Sequence, residues 1–160
     1  KLNKYYKEII EEIECLGFNI INYDFNRPWG GFLLINESQS QDFINTFISK
    51  ENLEIEGRLS PKILIVNPNS RLSWQFHYRR KEIWRVYKNS VGIIRSMDNN
   101  QNEMEILNEG DIIKFQTEER HRLVGLSNFG VVAEIWIHTD LNNPSDEQDI
   151  VRLQDDYSRN

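Results

Sequence analysis

The chain has 160 residues, of which 39% are hydrophobic, 28% are charged and 11% are aromatic. This length suits one domain with an ordinary hydrophobic core, and the composition excludes a disordered chain. The net charge is −6, with 25 acidic and 19 basic residues, which argues against nucleic acid as a partner because its binding depends on neutralising phosphates.

The sequence predicts neither a membrane protein nor a secreted one. No run approaches about 18 consecutive apolar residues, and no basic segment followed by an apolar one opens the chain. The single cysteine, Cys15, rules out an internal disulfide framework and fits a reducing compartment. We therefore expect a cytoplasmic protein without a membrane partner.

The first fifty residues are predicted to contain two helices. Apolar residues recur at helical spacing over residues 2–16, and Gly17 follows where a helix stop is expected. Residues 27–31, Arg-Pro-Trp-Gly-Gly, predict a turn before a short strand at 32–35. A second helix is predicted over residues 40–50.

From Pro61 onward the sequence becomes rich in strand-forming residues. Eight short runs, separated by Asn, Gly and Ser at roughly ten-residue spacing, predict an all-β sandwich or a barrel closed on itself. We expect a helical extension over residues 1–26 and one barrel domain over 27–160, with a helical insertion near 40–50 and a polar C-terminal tail from Asp140. The predicted strands are 62–66, 72–78, 82–87, 91–96, 103–107, 111–116, 122–126 and 131–139.

Two of the three histidines stand in a pattern typical of metal ligands. Gln75 and His77 share one face of a strand, because side chains alternate with period 2, and a tight turn at 79–81 returns Glu82 beside His77. If a barrel brings His121 to the same place, the set is two imidazoles, a carboxylate and an amide oxygen. Such a set suits Zn²⁺, Fe²⁺, Mn²⁺ or Ni²⁺ with positions open for substrate. The alternative is a buried polar cluster without metal.

The same spacings resemble the two cupin motifs. His77 and Glu82 match the His and Glu of the first motif, and Gly110 lies eleven residues before His121, as in the second. Asn89 stands where the first motif has Gly, and Asn tolerates a left-handed turn. The resemblance implies a cupin double-stranded β-helix, which is a jelly-roll barrel, with short N-terminal helices.

A narrower resemblance is to the C-terminal cupin domain of type II mannose-6-phosphate isomerases, the domain fused to mannose-1-phosphate guanylyltransferase in bifunctional enzymes. No nucleotidyltransferase domain lies in the 160 residues, so the resemblance implies a stand-alone version, of a kind sometimes labelled phosphoheptose isomerase. The segments that carry it are Arg27-Pro28-Trp29-Gly30, Leu72-Ser73-Trp74-Gln75-Phe76-His77, Arg80-Lys81-Glu82, Gly110-Asp111, His121-Arg122-Leu123, Asp149-Ile150-Val151-Arg152 and Asp155-Asp156-Tyr157.

The resemblance also implies roles for individual residues. Arg80 matches the arginine that precedes the Glu of the family motif and is implicated in isomerase activity. The chain departs from the family where three consecutive histidines are replaced by His77-Tyr78-Arg79, and where Ile83 replaces a further histidine. Zinc is the first choice of divalent metal, with iron, manganese and nickel open. The implied metal ligands are Gln75, His77, Glu82 and His121.

The implied reaction is the aldose–ketose isomerisation of a small-molecule sugar phosphate. A metal holds the C1 and C2 oxygens of the open-chain sugar and stabilises the enediolate charge, while a base moves a proton between C1 and C2. For the base the sequence leaves Glu134 and His138, which lie on one face of the last strand, and Glu134 is our catalytic candidate. The candidate phosphate or enediolate contacts are Arg80, Lys62, Arg27 and Arg152.

Two other functions remain open at this stage. Several histidines that surround the metal ligands in the family are missing from this chain. An alternative is therefore a non-catalytic module that binds a sugar phosphate or sugar nucleotide. A metal-dependent oxygenase fits less well, since its iron site usually has more histidine and no glutamine. Trp74, Phe76 and Tyr78 alternate with the proposed ligands and so face outward, where they need cover from an N-terminal helix or a second subunit. We therefore expect a homodimer.

Overall fold

The computed structural model describes residues 2–159. Helix α1 (Lys4–Cys15) lies close to the predicted bounds, so the N-terminal helix is confirmed. None of the helices in residues 2–159 is long and apolar enough to cross a membrane. The helix buries one apolar face, formed by Tyr6, Ile9 and Ile13.

Antiparallel strands form most of the remaining regular structure, which confirms the all-β expectation with short N-terminal helices. Their bounds are β1 (Ile20–Arg27), β2 (Gly30–Ile35), β3 (Leu59–Val66), β4 (Trp74–Phe76), β5 (Arg80–Lys88), β6 (Val91–Ser96), β7 (Glu105–Leu107), β8 (Ile112–Phe115), β9 (Arg120–Gly125), β10 (Gly130–His138) and β11 (Val151–Gln154). A six-stranded sheet has the order β1-β2-β3-β10-β5-β8, and a five-stranded sheet has the order β11-β4-β9-β6-β7.

The six-stranded sheet is covered on both faces because its side chains alternate. On β3, Ile63 and Ile65 pack with α1 and the helical segment that follows β2. Leu64 and Val66, which alternate with them along the strand, point the other way into a second apolar cluster shared with the five-stranded sheet. The polar site residues lie on this inner face, between the two sheets.

The predicted helical insertion near residues 40–50 is present as three short consecutive turns. A 3₁₀ turn (Glu37–Gln39) leads into α2 (Ser40–Phe43), and a π-helical turn (Ile44–Ile48) completes the segment. Phe43, Phe47 and Ile48 are buried, so the apolar face that suggested the helix does pack on the sheet.

Two strands, β1 and β11, were not expected from the sequence. β1 lies within the region assigned to a helical extension, and β11 lies within the supposed polar tail. Both are edge strands, and most of their side chains are exposed or only half-buried. Residues 21–26 and 151–154 do alternate apolar and polar side chains, so a period-2 strand signal was present in both segments and the sequence interpretation missed it.

The tail is held as a strand partly by a buried arginine. Arg122 on β9 is fully buried, and its Nε donates to the carbonyl oxygen of Leu72 at 2.8 Å. Its Nη2 donates to the carbonyl oxygen of Gln154 on β11 at 3.1 Å. Burial, followed by the charge of Arg71, lowers the pKa of Arg122 to about 10, so the guanidinium still carries its charge at neutral pH.

The outward-facing aromatic residues of β4 are covered by the chain itself, which corrects the sequence interpretation. Trp74 is 1% exposed, and its indole N–H donates to the carbonyl oxygen of Asn99 at 2.9 Å. Phe76 is 5% exposed and lies beneath the guanidinium of Arg120, 4.0 Å from the ring centroid. Only Tyr78 is largely exposed. The homodimer therefore loses its original support and stays a prediction.

The β1–β2 hairpin gives a test of the packing. Gly30 has φ +145°, and a Cβ there would clash with the backbone carbonyl oxygen of Ile65. Gly57 has φ +92° but no atom within 4 Å of the Cβ position. We expect Gly30→Ala to lower the free energy of unfolding by at least about 2 kcal/mol more than Gly57→Ala, because only Gly30→Ala adds overpacking to backbone strain. Urea denaturation followed by tryptophan fluorescence measures both, and equal losses would contradict this packing.

Candidate metal centre and adjoining cavity

Three of the predicted metal ligands meet between the two sheets. His77 directly follows β4, Glu82 lies on β5 and His121 lies on β9. One ligand atom from each, all buried, lies within 4.8 Å of the others. The fold therefore brings together residues that are 44 positions apart in the sequence, as counted from His77 to His121.

Backbone carbonyl groups fix the orientation of both imidazoles. His77 Nδ1 donates to the carbonyl oxygen of Asp149 at 2.7 Å, and His121 Nδ1 donates to that of Glu119 at 2.9 Å. The two Nε2 atoms therefore face Glu82, at 3.5 Å from Oε2 and 3.4 Å from Oε1 respectively. A hydrogen bond at the far nitrogen is the usual way in which proteins orient a metal-ligating histidine.

Electrostatics keep His77 and Glu82 in the protonation states that a metal requires. Burial, followed by the charge of Arg80, lowers the pKa of His77 to about 3, so this imidazole is neutral at pH 7. Burial opposes ionisation of Glu82, but the guanidinium of Arg80 holds the pKa of its carboxyl well below the ordinary value. The cluster thus offers neutral imidazole nitrogen and an ionised carboxylate.

The residues present fit a divalent metal. His121 Nε2 is buried and has no hydrogen-bond partner within residues 2–159, and its Nδ1 already carries the proton. A buried lone pair without a partner is costly, and a cation held by His77, Glu82 and His121 would remove that cost. Two imidazoles and a carboxylate suit zinc, iron, manganese or nickel alike, so the set does not choose among them.

Gln75, the fourth predicted ligand, lies beside the cluster with its amide turned the other way. It is directly across from His121 in the pairing of β4 with β9. Its Nε2 is 3.4 Å from Nε2 of His77, while its Oε1 accepts a hydrogen bond from Ser73 Oγ at 2.6 Å. The amide must turn over for its oxygen to serve as a ligand, so this role stays a prediction.

Arg80 lies against both the cluster and an indole ring. Its Nε donates to Glu82 Oε2 at 2.7 Å, and its guanidinium lies 3.5 Å from the centroid of Trp136. Its Nη2 donates to Nε2 of His77 at 3.1 Å. Since that lone pair is the one that would bind a metal, Nη2 is the group of Arg80 that metal binding would release.

Glu134 on β10 is buried beside Glu82. Its Oε1 accepts from the indole N–H of Trp136 at 2.8 Å, and its Oε2 accepts from that of Trp84 at 2.6 Å. Burial, followed by the charge of Glu82, raises the pKa of Glu134 to about 8. Its carboxyl can therefore exist in either protonation state near neutral pH, which is the requirement for a general acid–base group.

The segment between β10 and β11, residues 139–150 and called the strap below, closes over these residues. Glu147 binds Lys62, with 2.6 Å between Oε1 and Nζ. Ser145 Oγ accepts from Arg80 Nη1 at 2.9 Å and donates to Asp149 Oδ2 at 2.6 Å. Neither Ser145 nor Glu147 was predicted from the sequence. Asp149 was part of a family motif, but no role was predicted for it.

One cavity of about 60 Å³ connects the predicted site residues. Eight of the nine line it, and the ninth, His121, belongs to the cluster of His77, Glu82 and His121, called the metal cluster below although it consists of ligand residues. The eight are Arg27, Lys62, Gln75, His77, Arg80, Glu82, Glu134 and Arg152.

His138, the other candidate base, lies elsewhere. It lines a second cavity of about 210 Å³ and is not among the residues that line the first. Its Nδ1 accepts from the backbone N–H of Ser145 at 2.9 Å, and its Nε2 is 2.7 Å from Ser60 Oγ. Both ring nitrogens are engaged, so the geometry favours Glu134.

Comparisons with known proteins agree with this architecture. Residues 36–155 match the family described as mannose-6-phosphate isomerase C-terminal. No curated protein sequence matches the chain. The cupin fold expected from the sequence is confirmed.

The solved structures that are similar to this chain have low sequence identity to it. A point mutant of oxalate decarboxylase from Bacillus subtilis is 12% identical, with TM-score 0.56, and the match covers 79% of this chain and 29% of that one. Another structure of that enzyme is 13% identical, with TM-score 0.55 and coverage of 78% and 28%. A cupin 2 conserved barrel domain protein from Salinispora arenicola is 16% identical, with TM-score 0.44 and coverage of 55% and 68%. The chain thus spans less than a third of the oxalate decarboxylase chains.

The metal cluster can be tested without any assay of activity. We expect the wild-type chain to bind one Zn²⁺ per chain, and Glu82→Gln to weaken the affinity at least about a hundredfold, because it removes the anionic ligand. His121→Ala should act likewise if the first variant is poorly folded. Competition with a chromogenic chelator measures each affinity. Glu37→Gln, which changes an exposed carboxylate bound to Arg58, is the control. Equal affinity in all four proteins would show that the cluster is not a metal site.

Proposed function

Because the chain belongs to the mannose-6-phosphate isomerase C-terminal family, we propose that it is a metal-dependent isomerase that interconverts aldose and ketose sugar phosphates. The observation that carries this proposal is a carboxyl group able to exchange a proton near neutral pH, Glu134, placed in one cavity with the metal cluster and with cationic side chains. The likeness to oxalate decarboxylase concerns the fold alone and brings no substrate with it.

Glu134 is the proposed acid–base residue. In its ionised form it removes the proton from the carbon next to the sugar carbonyl, and in its neutral form it returns that proton to the neighbouring carbon. The indole N–H groups of Trp84 and Trp136 hold both of its oxygens. The carboxyl group is therefore restrained to one position and keeps lone pairs free to receive the proton.

Arg80, together with a metal held by the ligand cluster, would supply positive charge where the reaction develops negative charge. A bound divalent metal would act as a Lewis acid toward the oxygens of the substrate, and His77, Glu82 and His121 would hold it, with Gln75 the proposed fourth ligand. Arg80 is restrained by Glu82 and the strap through Nε and Nη1. Its Nη2, once it leaves His77, can donate to a substrate oxygen and stabilise the enediolate.

The size of the cavity implies that substrate entry displaces the strap. About 60 Å³ holds roughly two water molecules, which is too little for a sugar phosphate. Lys62 and Glu147 line both this cavity and the larger one beside it. Breaking the Lys62–Glu147 ion pair would join the two cavities and leave the Lys62 ammonium free to contact an oxygen of the sugar.

The acid–base role predicts a specific kinetic defect. We expect Glu134→Gln to lower kcat for the conversion of fructose 6-phosphate at least a hundredfold, because glutamine keeps the shape but cannot carry the proton. Its affinity for Zn²⁺ should stay within about threefold of wild type, because Glu134 is not a proposed ligand. His138→Gln is the control and should retain most of the turnover. A Glu134→Gln enzyme with wild-type kcat would remove Glu134 from the mechanism.

Saturable binding of a sugar phosphate without turnover in the wild type would instead favour the binding-module hypothesis.

The strap predicts an effect on substrate binding. We expect Glu147→Gln to lower KM for fructose 6-phosphate severalfold, because the substrate no longer competes with a carboxylate for Lys62. Steady-state kinetics measure this change, and Glu103→Gln, on the exposed surface, is the matched control. A higher KM in Glu147→Gln would mean that the carboxylate binds the sugar and does not compete with it.

A further inference from the structure

His138, the last residue of β10, ties the strap to the six-stranded sheet. The residue is 6% exposed, and its Nδ1 accepts from the backbone N–H of Ser145 at 2.9 Å. Ser145 Oγ in turn accepts from Nη1 of Arg80 at 2.9 Å and donates to Asp149 Oδ2 at 2.6 Å. One imidazole nitrogen therefore fixes the strap residue that contacts Arg80.

The hydrogen bonds around His138 determine which ring nitrogen carries the proton. Burial opposes ionisation of Glu37, but hydrogen bonds from Arg58 and Ser60 lower its pKa, so Glu37 is an acceptor. Ser60 Oγ has a single hydrogen, which it donates to Glu37 Oε2 at 2.6 Å. The contact of 2.7 Å between Ser60 Oγ and His138 Nε2 therefore requires the proton on Nε2. Nδ1 is then unprotonated, as its hydrogen bond from Ser145 also requires, so the closed strap is compatible only with a neutral imidazole.

The charged groups around His138 already have partners of their own. Those that face it or share its cavity are Glu37, Arg58, Lys62, Arg80, Asp146, Glu147 and Asp149. All seven are engaged in ion pairs or hydrogen bonds with other groups. Burial, followed by the charge of Arg58, lowers the pKa of His138, because an imidazolium in the closed form would be a buried charge.

We propose that His138 is an acid-sensitive latch of the strap. A proton on Nδ1 converts the acceptor of the Ser145 N–H into a donor, so this hydrogen bond is lost and residues 140–147 move away from the sheet. Asp149 holds the far end of the strap, because its carboxylate accepts from the backbone N–H groups of Tyr78 and Arg79. The latch does not rest on the proposed function, but its consequence for substrate entry does.

The direction of the pH dependence follows from proton linkage. Opening of the strap returns the pKa of His138 toward its ordinary value of 6.5, and the closed strap holds it lower. The open form therefore binds more protons, and the equilibrium shifts toward it as the pH falls below 6.5. The shift is at most about tenfold per pH unit, and it ends below the pKa of the closed form.

Hydrogen exchange at the Ser145 amide tests the latch without any substrate. Protection factors, corrected for the intrinsic pH dependence of exchange, are measured by NMR at about pH 7 and about pH 5.5. In the wild type we expect the Ser145 amide to lose protection about fivefold or more between these pH values, while the amides of Ile63 and Ile65 on β3 keep theirs. The result should be the same with and without one equivalent of Zn²⁺.

Three results in the wild type would overturn the latch. They are a Ser145 amide that is unprotected at about pH 7, equal protection of Ser145 at both pH values, and a loss of protection shared by Ser145 and β3. The last result would indicate global unfolding and no local opening.

Two substitutions distinguish His138 from the other titrating groups. Asparagine places an oxygen near the position of Nδ1 and does not titrate, so His138→Asn should protect Ser145 equally at both pH values. Phenylalanine keeps a ring without an acceptor, so His138→Phe should leave Ser145 severalfold less protected at both. A thermal melt at each pH establishes that the variants are folded. Wild-type pH dependence in His138→Asn, or wild-type protection in His138→Phe at about pH 7, would overturn the proposal.

Glu147→Gln is the matched control within the strap. It removes a second titratable group that ties the strap to the sheet, through Lys62, and leaves the hydrogen bond between His138 and Ser145 in place. We expect the wild-type pH dependence of Ser145 protection in this variant. Loss of that dependence in Glu147→Gln would assign the pH sensitivity to the Lys62–Glu147 pair and overturn the role of His138.

Discussion

The arrangement of the site depends on two imidazoles whose Nδ1–H groups donate hydrogen bonds to backbone carbonyl oxygens. His77 and His121 each give Nδ1–H to a carbonyl oxygen, so their Nε2 lone pairs face an ionised Glu82 inside the protein. Such a cluster has acceptors in excess, and Arg80 satisfies only part of it. A divalent cation would complete the set, because it is a partner that two imidazoles and a carboxylate can share.

The strap makes the C-terminal part of the chain a component of this site. Asp149 gives its carbonyl oxygen to His77 and its carboxylate to the backbone N–H groups of Tyr78 and Arg79. Ser145 and Glu147 hold the cationic groups of Arg80 and Lys62. The orientation of His77, the position of Arg80 and the access to the cavity therefore depend on one connection between β10 and β11. In our proposal, displacing Glu147 would open the cavity, while Asp149 keeps His77 oriented.

Much of this architecture can be predicted from the sequence, and there are physical reasons why the rest cannot. The strands β3, β6 and β10 are nearly continuous runs of apolar, mostly β-branched residues, so they were predictable. The alternation of side chains along a strand placed Gln75 and His77 on one face. The edge strands β1 and β11 bury little, and their apolar–polar alternation over residues 21–26 and 151–154 was overlooked among polar neighbours. The amide orientation of Gln75, the cover over Trp74 and the Lys62–Glu147 pair arise from contacts between distant segments, which no local pattern reports. Alternation placed Glu134 and His138 on one face of β10 but did not fix whether that face points inward, and the raised pKa of Glu134 arises from burial and the neighbouring Glu82.

A single titration tests most directly whether a metal held by His77, Glu82 and His121 supports sugar-phosphate chemistry. Zn²⁺ is added stepwise to metal-free protein, and the conversion of fructose 6-phosphate to its aldose phosphates is followed by NMR after each addition. Our account predicts no conversion without metal, a rate that rises linearly with added metal, and a plateau at one equivalent per chain. Conversion that is independent of added metal, or no conversion with zinc, iron, manganese or nickel at any ratio, would contradict it.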